Sequence, residues 1–129
     1  MLKKLIVVSS IALLSGCAQQ PAKPALDPSK IHPTPVCKGE VQCSAMWGRA
    51  VRSLPALTRI RLMTVTDSYL QTYPVKRVGY MNGTAYKQKV GEDSYKIVAS
   101  FDCGGNSWCA DLSNRALDLF NVDVQGFDR

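Results

Sequence analysis

Tyr86-Lys87-Gln88-Lys89-Val90-Gly91-Glu92-Asp93-Ser94-Tyr95-Lys96-Ile97-Val98-Ala99-Ser100-Phe101 decides the fold class of this chain. Beyond a three-residue loop at Gly91-Glu92-Asp93, Tyr95, Ile97, Ala99 and Phe101 alternate with Lys96, Val98 and Ser100, the period of a half-buried strand. Ahead of the loop, Tyr86, Gln88 and Val90 share one face and Lys87 and Lys89 the other. Lys87, Lys89 and Lys96 are therefore expected in solvent. The stretch reads as an antiparallel hairpin with one face on a core.

Working towards the amino end, Asn82-Gly83 carries the signal of a type I′ turn, between Val78-Gly79-Tyr80-Met81 and Thr84-Ala85-Tyr86. From Thr58 to Tyr73 the chain is rich in β-branched and aromatic residues. Ile60, Leu62 and Thr64 alternate there with Arg59, Arg61, Met63 and Val65, until the phase is lost around Asp67-Ser68. A bulge and a tight turn both account for that break. Residues 40–54 place Cys43, Met46, Trp47, Ala50, Val51 and Leu54 along one helical face, with Arg49 and Arg52 opposite. Pro55 predicts the end of that helix at Leu54. Trp47, central in the stripe, reads as core. Leu112, Ala116, Leu117 and Phe120 are spaced for a second helix, with Ser113 as N-cap and Asn121 at its C-terminal end. Val122, Val124 and Phe127 follow as a short tail able to pack. The order is helix, three- to four-stranded antiparallel meander, helix: an α+β fold with both helices on one sheet face.

The amino end is of another kind. Lys3 and Lys4 precede an apolar run from Leu5 to Leu14, and Leu14-Ser15-Gly16-Cys17 closes it. That division is the one a secretory signal shows, and the run is short of the about 20 residues that span a bilayer. Residues 1–18 resemble bacterial lipoprotein precursors, in which the lipobox cysteine takes a diacylglycerol thioether, the preceding peptide is removed and the freed amine is acylated. The resemblance implies that residues 1–16 are a signal peptide and that Cys17 carries the lipid. Two or three acyl chains make a lasting attachment where one is marginal. Ala18 stands where inner-membrane retention would favour Asp, which implies the outer membrane. Replacing Cys17 with Ser is expected to release the protein from the membrane fraction.

Ala18 to Val36 holds Pro21, Pro24, Pro28, Pro33 and Pro35 and almost no bulky apolar residue. It is expected to be a tether reaching roughly 60 Å at about 3.1 Å per residue. The sole histidine, His32, falls in it. The remainder, 37–129, is one small domain near the lower limit for building its own core.

Lipidation of Cys17 leaves an even set, Cys37, Cys43, Cys103 and Cys109, in an oxidising compartment. Local pairs close loops worth roughly 2.4 kcal/mol each and crossed pairs roughly 4.4 kcal/mol, so loop entropy favours crossing. Gly39 and Gly104-Gly105 let each local loop turn back, and local pairing, Cys37–Cys43 and Cys103–Cys109, is the expectation. Each bridge would then staple a helix start. Five residues between cysteines are looser than the spacing structural zinc prefers, and no redox C-x-x-C occurs.

Motifs for chemistry are missing. With His32 in the tether, a Ser-His-Asp or Cys-His mechanism has no base in the domain. There is no phosphate loop, H-E-x-x-H or calcium loop. Asp67, Asp102, Asp111 and Asp118 offer carboxylates, but their spacing does not suggest a glycosidase pair, and Asp102, Asp111 and Asp118 each fit a turn or solvated helix position. No enzyme, cofactor or metal is expected. The formal charge of +6 falls to +4 without Lys3 and Lys4. Arg49, Arg52, Arg59, Arg61, Lys76, Arg77, Lys87, Lys89 and Lys96 supply most of it, attracting anionic headgroups or an acidic wall polymer within the screening length of about 8 Å. They form no dense run, which argues against nucleic acid. Two classes remain: a non-catalytic binding or accessory module that meets another envelope protein or cell-wall polymer, and a small inhibitor or ligand-binding lipoprotein, for example of a cell-wall hydrolase. Lysozyme is basic, so the positive balance counts against the second.

Cys43-Ser44-Ala45-Met46-Trp47-Gly48-Arg49-Ala50, the two C-x5-C pairs and Phe120-Asn121 resemble small uncharacterised envelope lipoproteins of Gram-negative bacteria over about residues 37–121. That resemblance carries no activity and no functional residue.

Overall fold

The computed structural model describes residues 26–103 and 109–126. The signal peptide, the lipobox with Cys17, the tether up to residue 25, Gly104-Gly105 and Phe127 lie outside them. After a short 3-10 turn at Pro28–Lys30 come β1 (Val36–Lys38), α1 (Glu40–Thr58), β2 (Leu62–Val65), β3 (Tyr69–Thr72), β4 (Asn82–Lys89), β5 (Ser94–Asp102) and α2 (Cys109–Gln125). The fold is α+β. Its five strands are antiparallel in the order β1-β5-β4-β3-β2, and both helices pack on one face of the sheet and against each other. The strand beyond the expected three or four is β1, too short to show alternation, which adds to the edge through Val36↔Lys96 and Cys37↔Tyr95.

The β4–β5 hairpin is as expected, its loop closed by the Val90 amide donating to the Ser94 carbonyl at 2.9 Å. Ile97, Ala99 and Phe101 are buried under the helices, as their alternation predicts. On β4 the expected face is reversed. Gly83, Ala85 and Lys87 lie opposite Phe101, Ala99 and Ile97, whereas Tyr86, Gln88 and Val90 are exposed. The cause is clearance beneath α1: a Cβ on Gly83 would lie 2.9 Å from Leu54 Cδ1, so small residues go inward and Tyr86 outward. Asn82-Gly83 accordingly opens β4 instead of turning. Its turn lies earlier, where the Tyr80 amide donates to Arg77 and Gly79 sits at φ +91°.

Of the two explanations for the phase lost at Asp67-Ser68, the tight turn is the one found there, over residues 66–68, with Thr66 Oγ1 accepting from the Ser68 and Tyr69 amides. A register shift occurs earlier in β2, between Leu62 and Thr64. The α1 stripe of Cys43, Met46, Trp47, Ala50 and Leu54 is buried as read. Pro55 does not end the helix. It forfeits the bond to Val51, but its carbonyl accepts from Arg59 at 2.8 Å, and the helix stops where Arg59 turns left-handed at φ 59°. α2 begins at Cys109, four residues before the expected cap. Ser113 is interior and its hydroxyl bonds back to the Cys109 carbonyl at 2.8 Å. Asn121 is buried inside α2, which ends at Gly126 with φ +85°. Ala116 and Phe120 are core as expected, with Val122 and Val124 also buried, whereas Leu112 is exposed. Phe120 meets Phe101 edge-on, with centroids 6.1 Å apart, joining α2 to the sheet.

The cysteines pair locally, Cys37 with Cys43 and Cys103 with Cys109. Residues 37–43 are not one helix: Gly39, at φ +78°, turns the chain from β1 into α1 and leaves the first pair's Cα atoms 5.0 Å apart. The first bridge ties β1 to the first turn of α1, and the second ties Cys103, one residue past β5, to the start of α2. The proline-rich stretch joins the domain from Leu26 onward. The Leu26 amide donates to Asp111 at 2.6 Å, the His32 amide to Asp118 at 2.8 Å, and Asn121 to the His32 carbonyl at 2.7 Å. Pro35 is fully buried and its carbonyl accepts from Ile97. Residues 26–35 therefore form a strap laid along α2.

Candidate functional site

The antiparallel strands and helices run between two ends of the domain, and the polar residues divide between them. One end gathers Gly39, the 66–68 turn and the 91–93 loop. There a groove of about 610 Å³ opens between α1 and the sheet, walled by Glu40, Ser44, Trp47, Asp67, Lys87 and Asp93. The clearance that turns Ala85 inward also turns Lys87 inward, because the two are alternate residues of one strand. At that end of the strand the α1 residue facing it is Trp47 and no longer Leu54. Lys87 Nζ consequently stands 5.0 Å from the centre of the Trp47 ring, a cation–π distance. Trp47 is 7 % exposed, as a core residue is, and its indole N–H donates to the Thr66 carbonyl at 2.9 Å. A fixed indole thus forms the floor, a cation lies over it, and Glu40, Asp67 and Asp93 stand around it. Such a groove can bind charged and hydrogen-bonding groups of either sign, favouring cations at its rim.

The residues singled out from the sequence do not converge on one catalytic point. Asp67 borders the groove, Asp102 ends β5 at the opposite end, and Asp111 and Asp118 lie on α2. The α2 carboxylates hold the strap. Asp111 takes the Leu26 amide and Arg115 at 2.8 Å, and Asp118 takes the amide and the ring of His32, the latter at 2.6 Å. Burial alone would raise the Asp118 carboxyl, but the two His32 hydrogen bonds and the imidazole charge outweigh it, leaving the group below its ordinary value. His32, expected in a free tether, is thus fastened to the domain surface. Asp27 caps the 3-10 turn through the Ser29 amide and hydroxyl, which hold its carboxyl low. Among the described residues, no group of three or more His, Cys, Asp or Glu side chains is placed to hold a metal ion.

The basic residues do not form one face. Arg49 donates to the Val124 carbonyl at 2.9 Å and closes the end of α2, with Arg52 nearby beside Asp123. Lys87 belongs to the groove, contrary to its expected exposure, while Lys89 and Lys96 are exposed beside the hairpin. Arg59, Arg61, Lys76 and Arg77 gather at the end opposite the groove, around the loop between β3 and β4. No sequence signal marked the groove, because reading β4 on its apolar residues placed Lys87 on the wrong face. Val78, at the crest of the basic loop, was hidden by its reading as strand.

Comparison with protein-family models, curated proteins and solved structures finds no match to this chain. No helix among the described residues is long and apolar enough to cross a membrane.

Proposed function

We propose that this chain is an outer-membrane lipoprotein anchored through Cys17, and that its domain is a non-catalytic binding module of the periplasm with the Trp47–Lys87 groove as its working surface. One observation carries the reading: the strap enters the domain beside Asp111, whereas the groove opens at the other end of the strands. An anchor ahead of Leu26 would leave the groove pointing away from the bilayer, towards an envelope protein or wall polymer. The two disulfides agree with an extracytoplasmic domain.

The carboxylates around the groove also favour a second reading. The whole-chain charge counts against an inhibitor of a basic cell-wall hydrolase, but Glu40, Asp67 and Asp93 form the local acidic surface such a partner requires. A photo-crosslinking residue at Ser44, in the full chain expressed with its leader, tests the groove. The expected outcome is one recurrent adduct that disappears with Lys87→Glu. Adducts that persist in that variant, or arise equally from a probe at Ala56, count against it. Inhibition of a cell-wall hydrolase, lost on replacing Asp67 and Asp93 with Asn, would select the second reading. Incorporation of labelled palmitate, abolished by Cys17→Ser, tests the anchor.

A further inference from the structure

The end of the domain where the strap begins has its own chemistry. Leu26 donates to Asp111 in the first turn of α2, Asp111 holds Arg115, and Arg115 shares a groove wall with Arg59, Gly79 and Tyr80. The loop joining β3 to β4 stands beside them. It is braced by the Asn82 side chain, which accepts from the Val75 amide at 2.8 Å and donates to the Val75 carbonyl at 3.3 Å. This braced loop presents Lys76, Arg77 and Val78, and Val78 is 86 % exposed. Tyr73 and Tyr80 flank it, half in solvent, and the Arg61 guanidinium lies 5.9 Å from the Tyr73 ring centre. The exposed valine stands beside Lys76 and Arg77, with Asp102 lining the same hollow, while Arg59 shares a wall with Tyr80 and Arg61 lies over Tyr73, at the end where the chain arrives.

We propose that this tip docks on anionic phospholipid headgroups of the bilayer that holds Cys17. The inference rests on the anchor reading given above. Eight residues, 18–25, separate Cys17 from Leu26, nine steps of chain with a reach of about 28 Å in polyproline form. The anchor thus holds the tip near the headgroups, whereas the groove's carboxylates stand at the far end. Lys76 and Arg77 meet phosphates, with Arg59 and Arg61 behind them. Val78 enters the interface, and Tyr73 and Tyr80 lie at headgroup level, where amphipathic rings are favoured. The lipid and the basic tip are then two attachment signals on one side of the domain, and together they set which way the groove points.

The test uses the mature chain with Cys17→Ser and both disulfides formed, mixed with vesicles of phosphatidylcholine alone or with phosphatidylglycerol. Co-sedimentation is expected on the phosphatidylglycerol vesicles and to fall as salt is raised. Each cation at such a surface is worth about fivefold in partitioning, so Lys76→Gln with Arg77→Gln should lose about 25-fold. Val78→Asp should also weaken binding, and Lys89→Gln, near the hairpin loop at the other end, should not. Equal binding to both vesicles, no binding, or equal loss from Lys89→Gln overturns the proposal, as does capture by purified cell wall in place of lipid. Palmitate labelling of Cys17 reports on the anchor alone, which separates the two failures. Labelling without vesicle binding overturns the tip, and vesicle binding without labelling overturns the anchor.

Discussion

Gly83→Ala is expected to destabilise the domain by about 1 kcal/mol, although alanine suits a strand better than glycine does. Gly83 has no positive φ, so its conformation is open to any residue. Alanine should gain about 0.5–1 kcal/mol from the narrower unfolded ensemble. Against this, the new Cβ would lie 2.9 Å from Leu54 Cδ1, 3.0 Å from Thr58 Cγ2 and 3.2 Å from Leu54 Cγ. Neither neighbour can yield freely: Leu54 is fully buried, and Thr58 Oγ1 is tied to the Leu54 carbonyl at 2.9 Å. Overpacking of this kind costs about 1–3 kcal/mol, which exceeds the gain. With a urea slope of about 1 kcal/mol/M, the midpoint should fall by about 1 M at unchanged slope. Gly91→Ala is the control, because its Cβ meets Ser94 Cβ at an ordinary 3.4 Å. Leu54→Ala should cost about 2–5 kcal/mol alone and less when combined with Gly83→Ala, since the added methyl group fills part of the cavity. An unchanged or raised midpoint for Gly83→Ala would refute the contact. A loss that adds fully to that of Leu54→Ala would refute it too, by pointing to backbone strain and so to the turn.

The strap should loosen in acid. Because the Asp118 carboxyl is held low in the folded state, its contribution is complete above the unfolded value of about 3.9 and is lost as pH falls through the folded value. Amide exchange at Ile31 and His32 should quicken over that range, and Asp118→Asn should give the same loosening at neutral pH, costing about 1 kcal/mol with His32 half exposed; exchange unaffected by either change would sink this account. Replacing Cys37 and Cys43 together with Ser should cost about 2.4 kcal/mol by loop entropy. Thermal unfolding measures it, and a loss nearer to about 4 kcal/mol would mean that the bond does more than close its local loop.

Residues whose pattern reports one dominant interaction were legible. Ile97, Ala99 and Phe101 alternate because one face of β5 is core, and Met46, Trp47, Ala50 and Leu54 recur at helical spacing for the same reason. The local pairing of Cys37 with Cys43 was legible in Gly39, whose positive φ turns the chain back. Legibility failed where a neighbour distant in sequence decided the outcome. On β4 the larger apolar residues point outward because Leu54 and Thr58 leave no room beneath them. At Asn82-Gly83, tertiary pairing overrode a strong turn signal, and at Pro55 the left-handed Arg59 set the helix end. β1 and the strap draw their order from β5 and α2, so their own composition could not announce it. Lys87 and Val78 were misplaced by these same errors.

The two disulfides have a consequence for how the chain assembles. β1 comes first among the strands yet completes its pairing only with β5, the last to be made, so the sheet cannot close until nearly the whole domain is present. A chain delivered amino end first presents Cys37 and Cys43 together long before Cys103 and Cys109 emerge. Their bond needs no distant partner, and once formed it holds the future edge strand beside the first turn of α1, waiting for the hairpin that will receive it. If the chain is exported as proposed, this order of delivery would favour the local connectivity over crossed pairs that loop entropy alone would prefer.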